Sequence, residues 1–165
     1  MQKLRISVLF LIIFLIIANT ALAENLFTVS RISDGDTVTC QGYGLTFKVR
    51  LAGIDTPEKG SKKRPGQPYA EQARKYLQSI ILNKQVSIKQ VGLDGYNRIL
   101  GIIYVSGRDI NLEMIKQGFA EVYRGKHSFD VKPFWEAEKE ARAKKLKIWS
   151  QDNYFSPKEW RKSQR

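Results

Sequence analysis

The chain has 165 residues, with 28 lysines and arginines against 16 aspartates and glutamates, which gives a formal charge of +12 at neutral pH. This charge favours a polyanionic partner, with an inert basic protein as the alternative at this point. Cys40 is the only cysteine, so an internal disulfide is excluded, and we expect Cys40 to be a buried, unreactive thiol.

Residues 1–23 are typical of a secretory signal peptide. Lys3 and Arg5 form a charged start, an unbroken apolar run covers residues 8–18, and small alanines stand at positions 21 and 23. A spanning helix needs roughly 20 apolar residues, so we predict cleavage after Ala23, with an uncleaved anchor as the alternative. The mature chain, residues 24–165, would be exported to the periplasm or secreted. Subtracting the two basic leader residues from 28 leaves 26 against 16, or +10.

Residues 26–51 have the pattern of three strands. Apolar and polar residues alternate, and the pattern breaks at Asp34-Gly35 and at Gln41-Gly42, which indicates tight turns. In the third strand the apolar residues occupy the odd positions. Arg50 is therefore predicted to project from the face opposite the core, where it is available to a ligand.

A basic loop and an amphipathic helix are predicted next. Residues 59–67 hold four positive charges and no large apolar side chain, so we expect a mobile surface loop. The apolar residues that follow have the spacing of one helical face; they are Ala73, Tyr76, Leu77, Ile80 and Ile81. They predict a helix of about three to four turns.

The second half of the chain predicts two strands and then three helices. The strands are expected at residues 85–90 and 98–105, and the helices at 111–117, 133 to about 147, and from Ser156 onward. This order matches an α+β fold: a five-stranded OB-fold Greek-key barrel with a helix after strand 3 and C-terminal helices. A mixed α+β sandwich is the alternative. We expect residues 24–165 to form one domain.

Five polar side chains lie where predicted strands end; they are Asp36, Arg50, Asp55, Glu58 and Arg98. Each alone has an ordinary explanation, because aspartate is common in turns and arginine on surfaces. Together they supply what phosphodiester hydrolysis requires. Carboxylates can hold a hard divalent ion, guanidinium groups can bind the phosphate as its charge develops, and a further carboxylate can orient water and accept its proton.

Three segments carry a more specific resemblance. They are residues 32–37 (ISDGDT), 50–58 (RLAGIDTPE) and 94–98 (DGYNR). In order and separation they resemble the signature segments of the thermonuclease, or staphylococcal nuclease-like, family. A looser match continues through residues 113–120 (EMIKQGFA) and 145–149 (KLKIW). The resemblance covers nearly the whole mature chain.

The resemblance implies a Ca²⁺-dependent endonuclease that hydrolyses the phosphodiester bonds of DNA and RNA and leaves 3′-phosphate ends. Asp36, Asp55 and the backbone carbonyl of Thr56 would bind one Ca²⁺, with waters and the substrate phosphate completing its coordination. Glu58 would be the general base or the group that positions the attacking water.

The resemblance also implies roles for two arginines and two tyrosines. Arg50 would bridge the phosphate, and Arg98 would stabilise the developing charge and the leaving oxygen. Tyr96 would contact phosphate and Tyr123 would stack on a base, with an ordinary core or surface position as the alternative for each. The chain departs from the family pattern around the first tyrosine, where glycine and asparagine replace a lysine and a glycine. One phosphate-contacting lysine is therefore missing, and affinity or product length is expected to differ.

Two other functions compete with a nuclease. One is a noncatalytic nucleic-acid-binding OB-fold protein, and the other is a basic surface protein that binds acidic polymers or membrane. A pure binder has no need of two aspartates, a glutamate and two arginines together, so we favour the enzyme. We expect a monomer without a stable protein partner and without membrane contact after signal cleavage.

Overall fold

The computed structural model describes residues 26–61 and 64–164. The predicted signal peptide and its cleavage site lie outside these residues. Across the described ranges, every helix is too short or too polar to cross a bilayer.

A closed five-stranded barrel forms the centre of the fold. Its strands are β1 (Leu26–Ile32), β2 (Thr37–Gly42), β3 (Leu45–Leu51), β5 (Gln85–Leu93) and β6 (Ile99–Val105), and three two-residue strands accompany them: β4 (Ile54–Asp55), β7 (Arg108–Asp109) and β8 (Glu121–Val122). Neighbours in the order β3-β2-β1-β5-β6 are antiparallel, and β3 closes the barrel by pairing with β6 in parallel. This arrangement confirms the predicted OB-fold.

Four α-helices surround the barrel in the described part of the chain. They are α1 (Ala70–Ile81), α2 (Ile110–Lys116), α3 (Lys132–Ala143) and α4 (Pro157–Ser163), with a 3₁₀ turn at Lys147–Ser150. The helix α1 follows β3 and the short strand β4, and it buries Ala73, Leu77 and Ile81 completely against the barrel. The predicted apolar face of this helix is therefore confirmed.

The predicted boundaries of β2 and α3 were wrong, and β5 continues to Leu93 instead of ending at Gln90. The strand β2 continues through Gly42, and the chain turns at Tyr43 and Gly44, whose φ angles are 53° and 73°. Two successive positive φ angles suit the twist of a two-residue hairpin, which places the turn here. The helix α3 ends at Ala143 instead of near residue 147, because Lys145 and Lys147 both have positive φ angles.

The predicted basic loop also needs a correction at its end. Gln67 is buried, and its backbone N–H donates to the carbonyl of Glu58 at 2.8 Å. The amide side chain finds polar partners, so burial leaves its donors and acceptors satisfied. Gln67 thus belongs to the packed structure, whereas residues 64–66 are exposed.

Cys40 is predicted to be chemically inert in the folded protein. Its side chain is fully buried in β2, and burial raises the pKa of the thiol from 9.0 to about 12. At about pH 8 the reactive thiolate is then about a thousandfold rarer than in an exposed thiol. A chromogenic disulfide reagent is expected to leave the native protein unmodified and to titrate one thiol after unfolding in guanidinium. Rapid labelling of the native protein would contradict the burial.

Candidate active site

The three signature segments meet at one cleft. In the barrel, Thr37 of β2 pairs with Arg50 of β3, and Arg50 pairs with Leu100 of β6. The ends of these strands therefore lie side by side, although they are far apart in sequence. They line a cleft of about 670 Å³, which contains Asp36, Arg50, Thr56, Glu58 and Arg98.

The two candidate cation ligands are buried carboxylates. Asp36 is 4% exposed and Asp55 is 2% exposed. Thr56 fixes Asp36, because its backbone N–H and its hydroxyl donate to Oδ2 at 3.1 and 2.8 Å. This close approach requires Gly35, since a Cβ there would lie 2.8 Å from the Thr56 hydroxyl oxygen. The sequence Asp-Gly-Asp thus brings the first carboxylate against the Thr56 loop.

Arg50 joins the two aspartates. Its Nη1 forms an ion pair with Asp36, and its Nη2 donates to Oδ1 of Asp55 at 2.9 Å. Arg50 lines the cleft, but its side chain is only 17% exposed because it is paired with the two aspartates, which lie within the span of a single guanidinium. Such paired, charge-assisted contacts hold the side chains in a fixed geometry.

The residues present fit a hard divalent cation. Asp36 and Asp55 offer carboxylate oxygens and Thr56 offers a carbonyl, the donors that Ca²⁺ prefers. Within residues 26–61 and 64–164, no three His, Cys, Asp or Glu side chains form a metal-binding group. A cation here would have two carboxylates from the protein, and water or substrate oxygens would have to complete its coordination.

Glu58 has an unpredicted partner in α4. Its carboxylate, with a side chain 38% exposed, accepts a hydrogen bond from Nη1 of Arg161 at 2.5 Å. Arg161 also contacts both oxygens of Asp55, at 3.2 and 2.8 Å. The hydrogen bonds to Asp55, and after them those to Glu58, raise the pKa of Arg161 above its ordinary value. The sequence pattern of α4 predicted the helix but gave no sign of this contact.

Arg98 is held in the turn between β5 and β6. Its Nε donates to Oδ2 of Asp94 at 2.6 Å, and the backbone N–H groups of Arg98 and Tyr96 donate to Oδ1 at 3.0 and 2.8 Å. Burial by itself raises the pKa of Asp94, but these hydrogen bonds outweigh it and hold the pKa below its usual value. Asp94 therefore stays ionised and fixes both the turn and the arginine.

The cleft also contains the two predicted tyrosines and further basic groups. Tyr96 is 84% exposed and Tyr123 is 43% exposed, so both rings are open to a ligand. Lys59 and Lys126 line the same cleft together with Arg161. We expect these cations to attract an anionic polymer. Contact of either tyrosine with nucleic acid stays a prediction.

Comparison with known proteins identifies the family. The sequence model described as "Staphylococcal nuclease homologue" matches residues 48–151. An "Uncharacterized endonuclease" of Haemophilus influenzae is 36% identical over 156 residues, which are 94% of this chain and 83% of that protein. The "Micrococcal nuclease" of Shigella flexneri is 33% identical over 160 residues, 92% of this chain and 88% of that protein.

A fungal relative shares the same region. The "Probable endonuclease LCL3" of Komagataella phaffii is 34% identical over 125 residues, which are 71% of this chain and 55% of that protein. The chain thus matches little more than half of this longer relative. The family match includes Arg50, Asp55, Glu58 and Arg98, whereas Asp36 precedes it. With more than half of its residues matched, this chain belongs to the family of staphylococcal nuclease homologues.

Proposed function

We propose that this chain is an exported, Ca²⁺-dependent endonuclease that hydrolyses the phosphodiester bonds of DNA and RNA. Family membership and the endonuclease names of its relatives support nuclease activity, a hydrolase reaction. One observation carries the finer proposal. Arg50 converges on Asp36 and Asp55 at a cleft that also contains Glu58 and Arg98.

The cleft would supply positive charge that stabilises the phosphate during attack. A divalent cation bound by Asp36 and Asp55 would supply the positive charge that binds a phosphate oxygen and offsets the charge gained on attack. Arg50 and Arg98 would donate hydrogen bonds to the remaining phosphate oxygens. Because these groups would contact the phosphate and not the sugar, the same site would accept both DNA and RNA.

Glu58 is the residue that would act on water. It lines the cleft and keeps part of its side chain exposed, so its carboxylate can hold a water molecule and take its proton. The water oxygen then bonds to phosphorus while the bond from phosphorus to the 5′ oxygen breaks, and the departing oxygen takes a proton from solvent. The phosphate stays on the 3′ side, which gives 3′-phosphate ends.

A noncatalytic nucleic-acid-binding protein is the competing proposal. Charge and the exposed tyrosines suit both functions equally. The pairing of one arginine with two buried aspartates favours the enzyme. Burying these ion pairs costs desolvation energy, and a surface that only binds nucleic acid does not need them. We retain the proposal that the mature protein starts at Glu24 and acts outside the cytoplasm as a monomer.

The proposal is tested with purified residues 24–165, labelled DNA and labelled RNA. We expect cleavage of both with Ca²⁺ and none with a chelator. Activity below saturation should fall with salt, with a logarithmic slope of about −0.7 to −0.9 for each neutralised phosphate. Product ends should block polymerase extension until a phosphatase removes the 3′-phosphate. Tight binding without cleavage in Ca²⁺ would instead establish the noncatalytic alternative.

A further inference from the structure

The helix α4 lies beyond residues 48–151, which the family model matches, yet it reaches the proposed active site. Arg161 in this helix contacts Oε1 of Glu58 at 2.5 Å and both carboxylate oxygens of Asp55 at 3.2 and 2.8 Å. One guanidinium therefore bridges the proposed water-directing group and a proposed cation ligand. It also lines the cleft.

A second contact joins the same C-terminal segment to the Glu58 loop. Gln67 accepts a hydrogen bond from the backbone N–H of Glu58 at 3.1 Å, and its own N–H donates to the Glu58 carbonyl at 2.8 Å. The side-chain Nε2 of Gln67 donates to the carbonyl of Phe155 at 2.5 Å. The backbone of Glu58 is thus connected to the residues just before α4 through one buried glutamine.

A third contact supports the strand that carries Asp55. Tyr154 donates its hydroxyl hydrogen to Oε2 of Glu121 at 2.8 Å, and Glu121 pairs with Asp55 between β4 and β8. The start of α4 is itself fixed by a capping box between Ser156 and Glu159. Arg161 is therefore presented from an anchored helix, and three separate contacts fix the position of that helix against residues 55–58.

The Glu58 carboxylate needs such support. A glutamate side chain has three rotatable bonds, and its orientation costs conformational entropy unless a partner holds it. Apart from Arg161, the described residues provide no ion pair to Glu58. The planar guanidinium fixes both the distance and the plane of the groups it binds.

We propose that Arg161 is a positioning residue that holds the Glu58 carboxylate in its working orientation, which makes α4 part of the active site. This inference rests on the proposed nuclease function. Two other roles lead to different results. If Arg161 bound the substrate phosphate, its loss would mainly raise KM. If Arg161 blocked the cation site, its loss would raise kcat.

The test compares Arg161→Ala, Arg161→Lys and the parent protein in steady-state cleavage of a short fluorogenic oligonucleotide at saturating Ca²⁺. Lys162→Ala removes one positive charge from the same helix and is the matched control. We expect Arg161→Ala to lower kcat about 10- to 100-fold, the scale of a small misplacement of a catalytic group, with KM changed less than about twofold. Arg161→Lys should recover part of kcat, and Lys162→Ala should match the parent.

Calcium affinity, measured by isothermal titration calorimetry, provides a readout independent of turnover. Arg161→Ala removes a cation paired with Asp55, so we expect Ca²⁺ to bind at least as tightly as in the parent. Circular dichroism checks the fold of each variant. If the alanine variant does not fold, Arg161→Gln keeps a polar side chain but removes the guanidinium that bridges Glu58 and Asp55, and it is expected to show the same loss of kcat.

A double-variant cycle tests whether Arg161 acts through Glu58. In a Glu58→Ala background, Arg161→Ala should cause no further loss of kcat, because the group it positions is absent. Equal losses in both backgrounds would overturn the proposal, as would a raised KM with normal kcat or an increase in kcat. A parent protein without Ca²⁺-dependent cleavage would refute the proposed function and this role together. An active parent with a fully active Arg161→Ala variant would refute this role alone.

Discussion

Glu58→Gln is expected to lower kcat about 100-fold or more, the loss typical when a general base or water-positioning carboxylate is removed. Glutamine keeps the size of the side chain but cannot accept a proton from water at neutral pH. Because Glu58 is not a proposed cation ligand, Ca²⁺ affinity should stay close to that of the parent. Steady-state cleavage at saturating Ca²⁺, combined with calorimetric Ca²⁺ titration, measures both properties.

The control for this prediction is Glu136→Gln, which makes the same chemical change at an exposed position in α3. It should leave turnover unchanged. Normal turnover in Glu58→Gln would remove Glu58 from the mechanism. A parallel loss of Ca²⁺ binding would instead indicate that Glu58 helps to hold the cation.

Arg50→Ala is expected to affect both turnover and stability. Without this guanidinium the phosphate loses a hydrogen-bond donor, which should lower kcat about 100-fold or more. The loss also leaves the buried carboxylate of Asp36 without its ion pair and weakens the pairing of Asp55. In the presence of a chelator, the free energy of unfolding should therefore fall by on the order of 3 kcal/mol. Saturating Ca²⁺ should restore part of this stability through binding to the native state.

Arg74→Ala is the matched control for stability. Arg74 pairs with Glu71 in α1, where both side chains are partly exposed to water. Its loss should cost less than about 1 kcal/mol, with no recovery by Ca²⁺. Urea denaturation of both variants, with Ca²⁺ and with a chelator, measures the difference. Equal stability changes in the two variants would show that Arg50 does not neutralise the buried aspartates.

The barrel could be predicted from sequence because its strands have a simple local pattern. Alternation in residues 45–51 placed Arg50 on the ligand side, and the spacing of Ala73, Leu77 and Ile81 predicted the buried face of α1. The exact turn between β2 and β3 could not be predicted. Glycines stand at both 42 and 44, and only the pairing of Gly42 with Leu45 decides which of them belongs to the strand.

The candidate site was predictable to the extent that it lies in contiguous motifs. Asp36, Arg50, Glu58 and Arg98 line one cleft because the ends of three adjacent strands meet there. Arg161 could not be found in this way, because its partners Asp55 and Glu58 lie 106 and 103 positions away. The local pattern around Ser156 determines where α4 begins but not which surface the helix packs against.

The parallel pairing of β3 with β6 has a consequence for how the protein folds. It joins Val49 to Ile99 and Arg50 to Leu100, residues fifty positions apart. Closing so long a loop costs chain entropy before native contacts can offset the cost, and such nonlocal pairings slow folding. Until β3 and β6 pair, Arg50 does not lie beside β6, the strand that follows Arg98 in the chain. The two arginines proposed to bind the phosphate are therefore brought together only when this pairing has formed.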